Sequence, residues 1–261
     1  MQYFDTHAHI GLIFDDPIEQ LLVCQQAKQA GVVGIVSICN SLMDFTQVYE
    51  NLKTAEHVFH AVGVSPSEVQ NPGKDWQRRI EESLKLPRVV AIGEIGLDYF
   101  RDLSPRPAQR TALAAQLELA ARLDKPVVFH VRDAWPELMA FIDEVGLPPR
   151  GGVLHSFSGD AAVVEWALAR GLKLGIGGVV TYKQSTLPAQ VALAGPDHLL
   201  LETDAPWLPP VPHRGERNEP ARLGLVLDKV AGILQMEPGE VERRTDASFA
   251  ALFLERKAGL P

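Results

Sequence analysis

The sequence predicts an α/β fold, specifically a (β/α)8 TIM barrel, and three observations lead there. Eight short apolar runs rich in β-branched residues recur along the chain, with starts roughly 20 to 40 residues apart, about the span of one strand-helix unit. Helix-like stretches fill the intervals. The length, 261 residues with 46% hydrophobic side chains, suits one such barrel. Near-continuous apolar strands alternating with helices imply a parallel sheet covered by helices, and a doubly wound open sheet is the second architecture that fits.

The strand-like runs are 3–5, 32–38, 58–64, 89–93, 127–130, 152–155, 172–176 and 199–202. Between the first two, Leu21, Leu22, Ala27 and Ala30 form a helical stripe that Gly31 stops. The stretch 110–123 is the clearest helix, because alanine and leucine dominate it. Segments 160–170 and 222–234 repeat that pattern. No proline-, glycine- or serine-rich linker divides the chain, so one domain is expected over residues 1–261.

Composition narrows the function. The start, Met1-Gln2-Tyr3-Phe4-Asp5, lacks a basic segment followed by an apolar one, and no apolar run approaches membrane-spanning length. A soluble cytoplasmic protein with no membrane contact is expected, and no stable protein partner is evident. Cys24 and Cys39 have no ligand-like spacing and are expected to be buried and reduced. A net charge of −8 argues against extended non-specific binding to duplex DNA, which relies on neutralising many phosphates.

Polar residues gather at the carboxyl ends of the runs, where barrels of this kind place their chemistry. His7 and His9 end the first run; side chains at i and i+2 of an extended strand share a side, so two imidazoles can face one point. Glu94 follows the fourth run, His130 the fifth, His155 the sixth and Asp204 the eighth. Each has a structural explanation when taken alone: a satisfied core histidine, a carboxylate paired with Arg132, a helix cap. Together they read as a metal site. Six donors exceed the needs of one tetrahedral ion, so two divalent ions are expected. Glu94 is the candidate bridge, with His7, His9 and Asp204 around one ion and His130 and His155 around the other. Two such ions can clamp the oxygens of a displacement and acidify a water. Asp204 can accept that water's proton.

The segments Asp5-Thr-His-Ala-His9, Ala91-Ile-Gly-Glu-Ile-Gly-Leu-Asp-Tyr99, Pro126-Val-Val-Phe-His-Val-Arg-Asp133, Gly152-Val-Leu-His-Ser-Phe-Ser-Gly159, Leu200-Leu-Glu-Thr-Asp-Ala-Pro206 and Arg214-Gly-Glu-Arg-Asn-Glu-Pro220 resemble those of the TatD family of metal-dependent hydrolases. The resemblance spans most of the chain, in the family's order. It implies a barrel, a two-metal centre and phosphodiester hydrolysis, often 3′-to-5′ exonuclease action on single-stranded DNA. It also implies His7, His9, Glu94, His130, His155 and Asp204 as ligands, the set already read from the strand ends. Family members proposed to deacylate mischarged tRNA leave hydrolysis of a carboxylic ester or amide as a second reading, and a catalytically silent binding protein is a third. Ligand type favours Zn, Mn, Fe or Ni over Mg, whereas the resemblance implies Mg-supported nuclease activity; two divalent ions, Mg, Mn or Zn, are expected.

Two positions depart from the family. Gly63-Val-Ser-Pro-Ser-Glu68 carries Ser65 and Ser67 where relatives have a His-Pro-His stretch; a serine hydroxyl can bond a phosphate oxygen but cannot be cationic or shuttle protons at neutral pH. Ser248 stands where relatives usually have asparagine.

Phosphate-handling candidates on the loops after strands are Arg101, Arg106, Arg132, Lys183, Arg214 and Arg217, with Ser65 beside them; arginine's planar fork suits a phosphate. Asp98 and Asp133 closely follow ligands and are candidates to orient an imidazole by accepting its second N–H. Tyr99, Phe100, Phe157, Tyr182 and Trp207 are candidates to stack on unpaired bases. The Gly175-Ile-Gly-Gly178 stretch lacks the pattern of a nucleotide-binding loop.

Overall fold

In the computed structural model, which describes residues 2–254, eight parallel strands follow one another in chain order around a barrel. They are β1 (Tyr3–Ala8), β2 (Val32–Ser37), β3 (Val58–Val62), β4 (Val89–Asp98), β5 (Val127–Arg132), β6 (Gly152–Leu154), β7 (Lys173–Ile176) and β8 (Leu199–Leu201). The helices are α1 (Ile10–Ile13), α2 (Pro17–Gln29), α3 (Leu42–Leu52), α4 (Trp76–Ser83), α5 (Arg106–Arg122), α6 (Trp135–Val145), α7 (Ala161–Ala169), α8 (Leu187–Ala194), α9 (Leu223–Leu234) and α10 (Pro238–Phe253). Met1 and residues 255–261, also covered by the single-domain expectation, lie outside the described residues.

Closure falls just past the ends of β1 and β8. The Asp204 N–H donates to the His7 carbonyl at 2.9 Å and the His9 N–H to the Ala205 carbonyl at 2.8 Å. Below them the Asp5 carboxylate accepts the Thr203 hydroxyl at 2.6 Å and the Thr203 N–H at 3.0 Å. These bonds seat both predicted histidines and Asp204 on the same rim.

Inside the barrel Val36, Ile38, Ala61, Ala91, Val128 and Leu200 pack together. The amino-terminal end is plugged by α10, where Phe249 stacks on Phe4 at 4.0 Å between ring centres. Burying one such aromatic removes enough apolar surface to contribute about 2 to 3 kcal/mol. Helices cover the outside, and their starts are written in the sequence: Asp16 accepts from the N–H groups of Ile18 and Glu19 ahead of α2, Ser41 caps α3 and Asp160 caps α7.

Strand ends differ from the sequence reading in one informative place. β4 continues to Asp98, so Glu94 sits within a strand rather than past its end. The β4–β5 ladder shifts register between Gly93 and Ile95, and such an irregularity re-aims a side chain. Gly96 then lets the strands stay close, because a Cβ there would collide with the His130 carbonyl. β1 also shifts register between Asp5 and Ala8, the interval that contains His7.

Cys24 and Cys39 are free and buried, and burial pushes both thiols up, Cys24 to about 12. Among the described residues no helix is long and apolar enough to cross a membrane.

Candidate metal centre

All six donors predicted from the strand ends converge at the carboxyl-terminal mouth. His7 Nε2 and His9 Nε2 are 3.1 Å apart, and both face Glu94 Oε2, at 3.3 and 3.6 Å. Asp204 Oδ1 stands 3.8 Å from His7 Nε2 and 3.7 Å from His9 Nε2. On the other side His130 Nδ1 lies 3.1 Å from Glu94 Oε1 and 3.2 Å from His155 Nε2. Glu94 thus presents Oε2 to His7, His9 and, at 3.7 Å, His155, and Oε1 to His130. The His7 and His155 rings stack at 3.7 Å.

These spacings fit a divalent ion. Donors about 2.1 Å from a tetrahedral metal lie about 3.4 Å from one another, which is the separation seen here. Three overlapping groups bring their donor atoms within 4.8 Å of one another: His7, His9 and Glu94; Glu94, His130 and His155; and His7, His155 and Asp204. The donor chemistry agrees, because imidazole and carboxylate together suit zinc, manganese and iron.

Electrostatics divide the histidines. Burial drives His7 and His9 down, His9 to about 4, so both offer free lone pairs at neutral pH. Burial also opposes charge on His130, but Glu94 and Asp98 outweigh it and raise its pKa. Glu94 is pushed up by burial, yet the His130 charge and the hydrogen bonds from His130 and His7 hold it well below the usual carboxylate range. Asp204 is raised to about 7, by burial first and then by the charges of Glu202 and Glu94, against the pull of His155.

Supporting groups divide less evenly. The Asp98 carboxylate meets His130 Nε2 at 3.0 Å, the orienting contact expected of it. Asp133 does not do the same: it sits exposed with φ of 52° at the turn before α6, and among the described residues no imidazole contacts it. A residue the sequence reading missed is Glu202. Fully buried, it accepts the Ser156 N–H at 2.6 Å and stands 3.7 Å from His155 Nδ1; Gly175 leaves space for it, since a Cβ there would strike its carboxylate.

A cavity of about 310 Å3 opens over the donors, lined also by Arg101, Arg132, Asn40, Ser67, Ser158 and Trp207. Arg132 packs over the Phe100 ring at 4.0 Å. The other predicted phosphate contacts are elsewhere. Arg106 faces Asp102 at 3.5 Å and stacks on Tyr99; Arg214 packs on Tyr182 at 3.8 Å; Lys183 is exposed outside the cavity wall. Ser65 is buried beneath the surface, its hydroxyl 2.8 Å from that of Ser67, so Ser67 is the serine that reaches the cavity. Arg217 donates to the Ile13 carbonyl and stacks on Phe14. Of the aromatic candidates, Trp207 lines the cavity and Phe157 is buried core.

The fold and site match known proteins. A metal-dependent hydrolase of uncharacterised role, YabD of Bacillus subtilis, is 33% identical over 252 residues, covering 96% of this chain and 98% of the relative. A protein named 3′-5′ ssDNA/RNA exonuclease TatD, from Citrobacter rodentium, is 35% identical over 237 residues, covering 88% and 90%. The crystal structure of YJJV, a TatD homologue from Escherichia coli K12, superposes with a TM-score of 0.90 at 30% identity, over 97% of this chain and 98% of that one. The family model described as TatD related DNase matches residues 4–254, and with it this chain belongs to the TatD family of metal-dependent hydrolases.

Proposed function

We propose that the chain, as one hydrolase domain, is a divalent-metal-dependent phosphodiesterase that removes nucleotides from the end of single-stranded DNA, acting 3′ to 5′, in the cytoplasm. The observation that carries this reading is Glu94, whose two oxygens lie 3.3 Å from His7 Nε2 and 3.1 Å from His130 Nδ1. A carboxylate so placed suits a bridge between two ions, with His7, His9 and Asp204 around one and His130 and His155 around the other. Mg, Mn or Zn would fit. Such a pair would supply a Lewis acid to the phosphodiester and make a water acidic near neutral pH.

The chain's own residues do the remaining work. Asp204 would take the proton from the attacking water. Asp98 holds His130 in orientation, and Glu202 places a carboxylate 3.7 Å from His155 Nδ1. Arg101 and Arg132 offset the charge of the substrate phosphates from the cavity wall. Ser67 contributes a neutral hydroxyl at the cavity wall, so protonation there plays no part. The similarity to a protein named as an ssDNA/RNA exonuclease, at 35% identity, supports a nucleic-acid substrate.

The test is a turnover screen with the full chain on end-labelled single-stranded DNA and RNA and on an aminoacyl ester, each with and without added divalent metal. Metal-dependent release of mononucleotides from the 3′ end is expected. Turnover of the aminoacyl ester alone would replace this reading with a deacylase, and no turnover under any metal would refute it.

A further inference from the structure

The cavity over the donors, about 310 Å3, is at the small end for ligand pockets. It takes the reacting unit of a strand, and the units beyond it must lie on the rim. Of the large hydrophobic side chains exposed among the described residues, two are aromatic, Phe100 at 61% and Trp207 at 37%. Both stand at this mouth. Trp207 follows β8 and Phe100 follows β4, four strands away in an eight-stranded barrel, so the two rings approach the centre from opposite sides.

The loop that carries Phe100 is fixed. The Asp98 carboxylate that meets His130 also accepts the Phe100 and Arg101 N–H groups at 3.1 and 2.8 Å, and the Tyr99 N–H donates to the Arg132 carbonyl at 2.9 Å. Further along, the Ser104 hydroxyl donates to the Ser67 carbonyl at 3.0 Å, and the Gln109 amide to the Ser104 carbonyl at 2.8 Å. A loop tied at both ends thus holds an apolar ring in water, preorganised for a partner.

Arg132 indicates what that partner is. It lines the cavity, and its guanidinium covers one face of the Phe100 ring at 4.0 Å. Arginines on neighbouring loops are engaged: Arg106 faces Asp102, Arg217 bonds the Ile13 carbonyl and Arg222 the Glu216 carboxylate. Arg132 makes no side-chain hydrogen bond or ion pair among the described residues, not even with the adjacent Asp133. The cavity's own carboxylates, Glu94, Asp98 and Asp204, belong to the metal centre. Unspent guanidinium donors suit a phosphodiester oxygen, and the open face of an aromatic ring suits a base.

We infer that Phe100 and Arg132 form a subsite for the nucleotide next to the reacting one, its base on the open face of Phe100 and the linking phosphodiester on Arg132. The inference rests on the phosphodiesterase reading above and adds a requirement to the substrate, a base at that neighbouring position. Any base serves, because each offers a flat face.

The experiment measures steady-state turnover by the full chain, with divalent metal, of short single-stranded oligonucleotides in which one base at a time is replaced by an abasic sugar. With the abasic sugar next to the nucleotide released, the wild type is expected to show a KM raised about tenfold. Phe100→Ala raises KM on the intact strand by a similar factor and removes the abasic penalty, and Phe100→Trp restores both. The comparison of strands on the wild type stands without any variant. No penalty at that position, or a penalty undiminished in Phe100→Ala of native circular dichroism, would overturn the subsite. An altered sedimentation of Phe100→Ala with an unaltered KM would overturn it too, giving the ring to contact between copies of the chain. No turnover of any strand under any divalent metal defeats the parent reading and the subsite together, whereas turnover without the penalty defeats the subsite alone.

Discussion

The Asp98 carboxylate meets His130 Nε2 at 3.0 Å, and that contact turns the other ring nitrogen toward Glu94, 3.1 Å away. Asp98 is itself fixed, its second oxygen accepting the N–H groups of Phe100 and Arg101 at 3.1 and 2.8 Å. An imidazole held this way has one tautomer and one orientation, which a metal ligand requires. Asp98→Asn should therefore weaken binding of the divalent ion about ten- to a hundredfold while every ligand stays in place. Competition against a fluorescent chelator measures it, and an unchanged affinity would remove Asp98 from this role.

Glu94 is the group that both halves of the centre share. Glu94→Gln keeps the side chain's shape but halves its capacity to ligate, and kcat/KM should fall at least about a thousandfold. Metal content of the purified variant, by mass spectrometry, should drop with it. Full activity in Glu94→Gln would exclude it from the mechanism.

Trp207 packs edge-on against His9 with ring centres 4.8 Å apart, yet remains 37% exposed on the cavity wall. An indole so placed can stack on an unpaired base, a contact worth about 1 to 3 kcal/mol. Trp207→Ala is expected to raise KM for single-stranded DNA about tenfold. Steady-state kinetics decides it, and an unaltered KM would mean that the indole only packs against the ligand histidine.

Away from the site, His60 is buried on β3, edge-on to Tyr49 at 5.0 Å, and its ring nitrogens have no protein hydrogen bond among the described residues. Burial, with a smaller push from Arg88, lowers its pKa from 6.5 to about 3. Between those values the unfolded chain binds a proton that the folded one refuses, so stability falls as the pH drops from about 6.5 toward about 3. Urea unfolding at pH 7 and pH 5 should show the wild type losing about 2 kcal/mol more than His60→Leu. Equal losses would contradict the buried neutral imidazole.

The barrel was legible because a strand buried on both faces must be apolar throughout, and the eight such runs match β1 to β8 to within a few residues except at β1 and β4. Both exceptions run on into the ligands: β1 extends past His7 and β4 past Glu94, each through a register shift that no periodicity encodes. The six donors were legible as a set because they punctuate those runs. What a loop arginine faces is not written locally. Arg132, which sits between a ligand histidine and Asp133 in the sequence, reaches the cavity, while Arg106 and Arg214 lie over Tyr99 and Tyr182. The serine pair divides the same way: Pro66 between them turns the chain so that Ser65 is buried and Ser67 exposed to the cavity. Glu202 was hidden by its position at the end of an apolar run, where it passed for the strand's last residue.

The most direct test of the paired centre is anomalous diffraction from crystals grown with manganese or zinc. Two peaks about 3.5 to 4 Å apart are expected, with one Glu94 oxygen on each, His7 and His9 on the first ion, and His130 and His155 on the second. A single peak, or a pair that Glu94 does not touch, would contradict it.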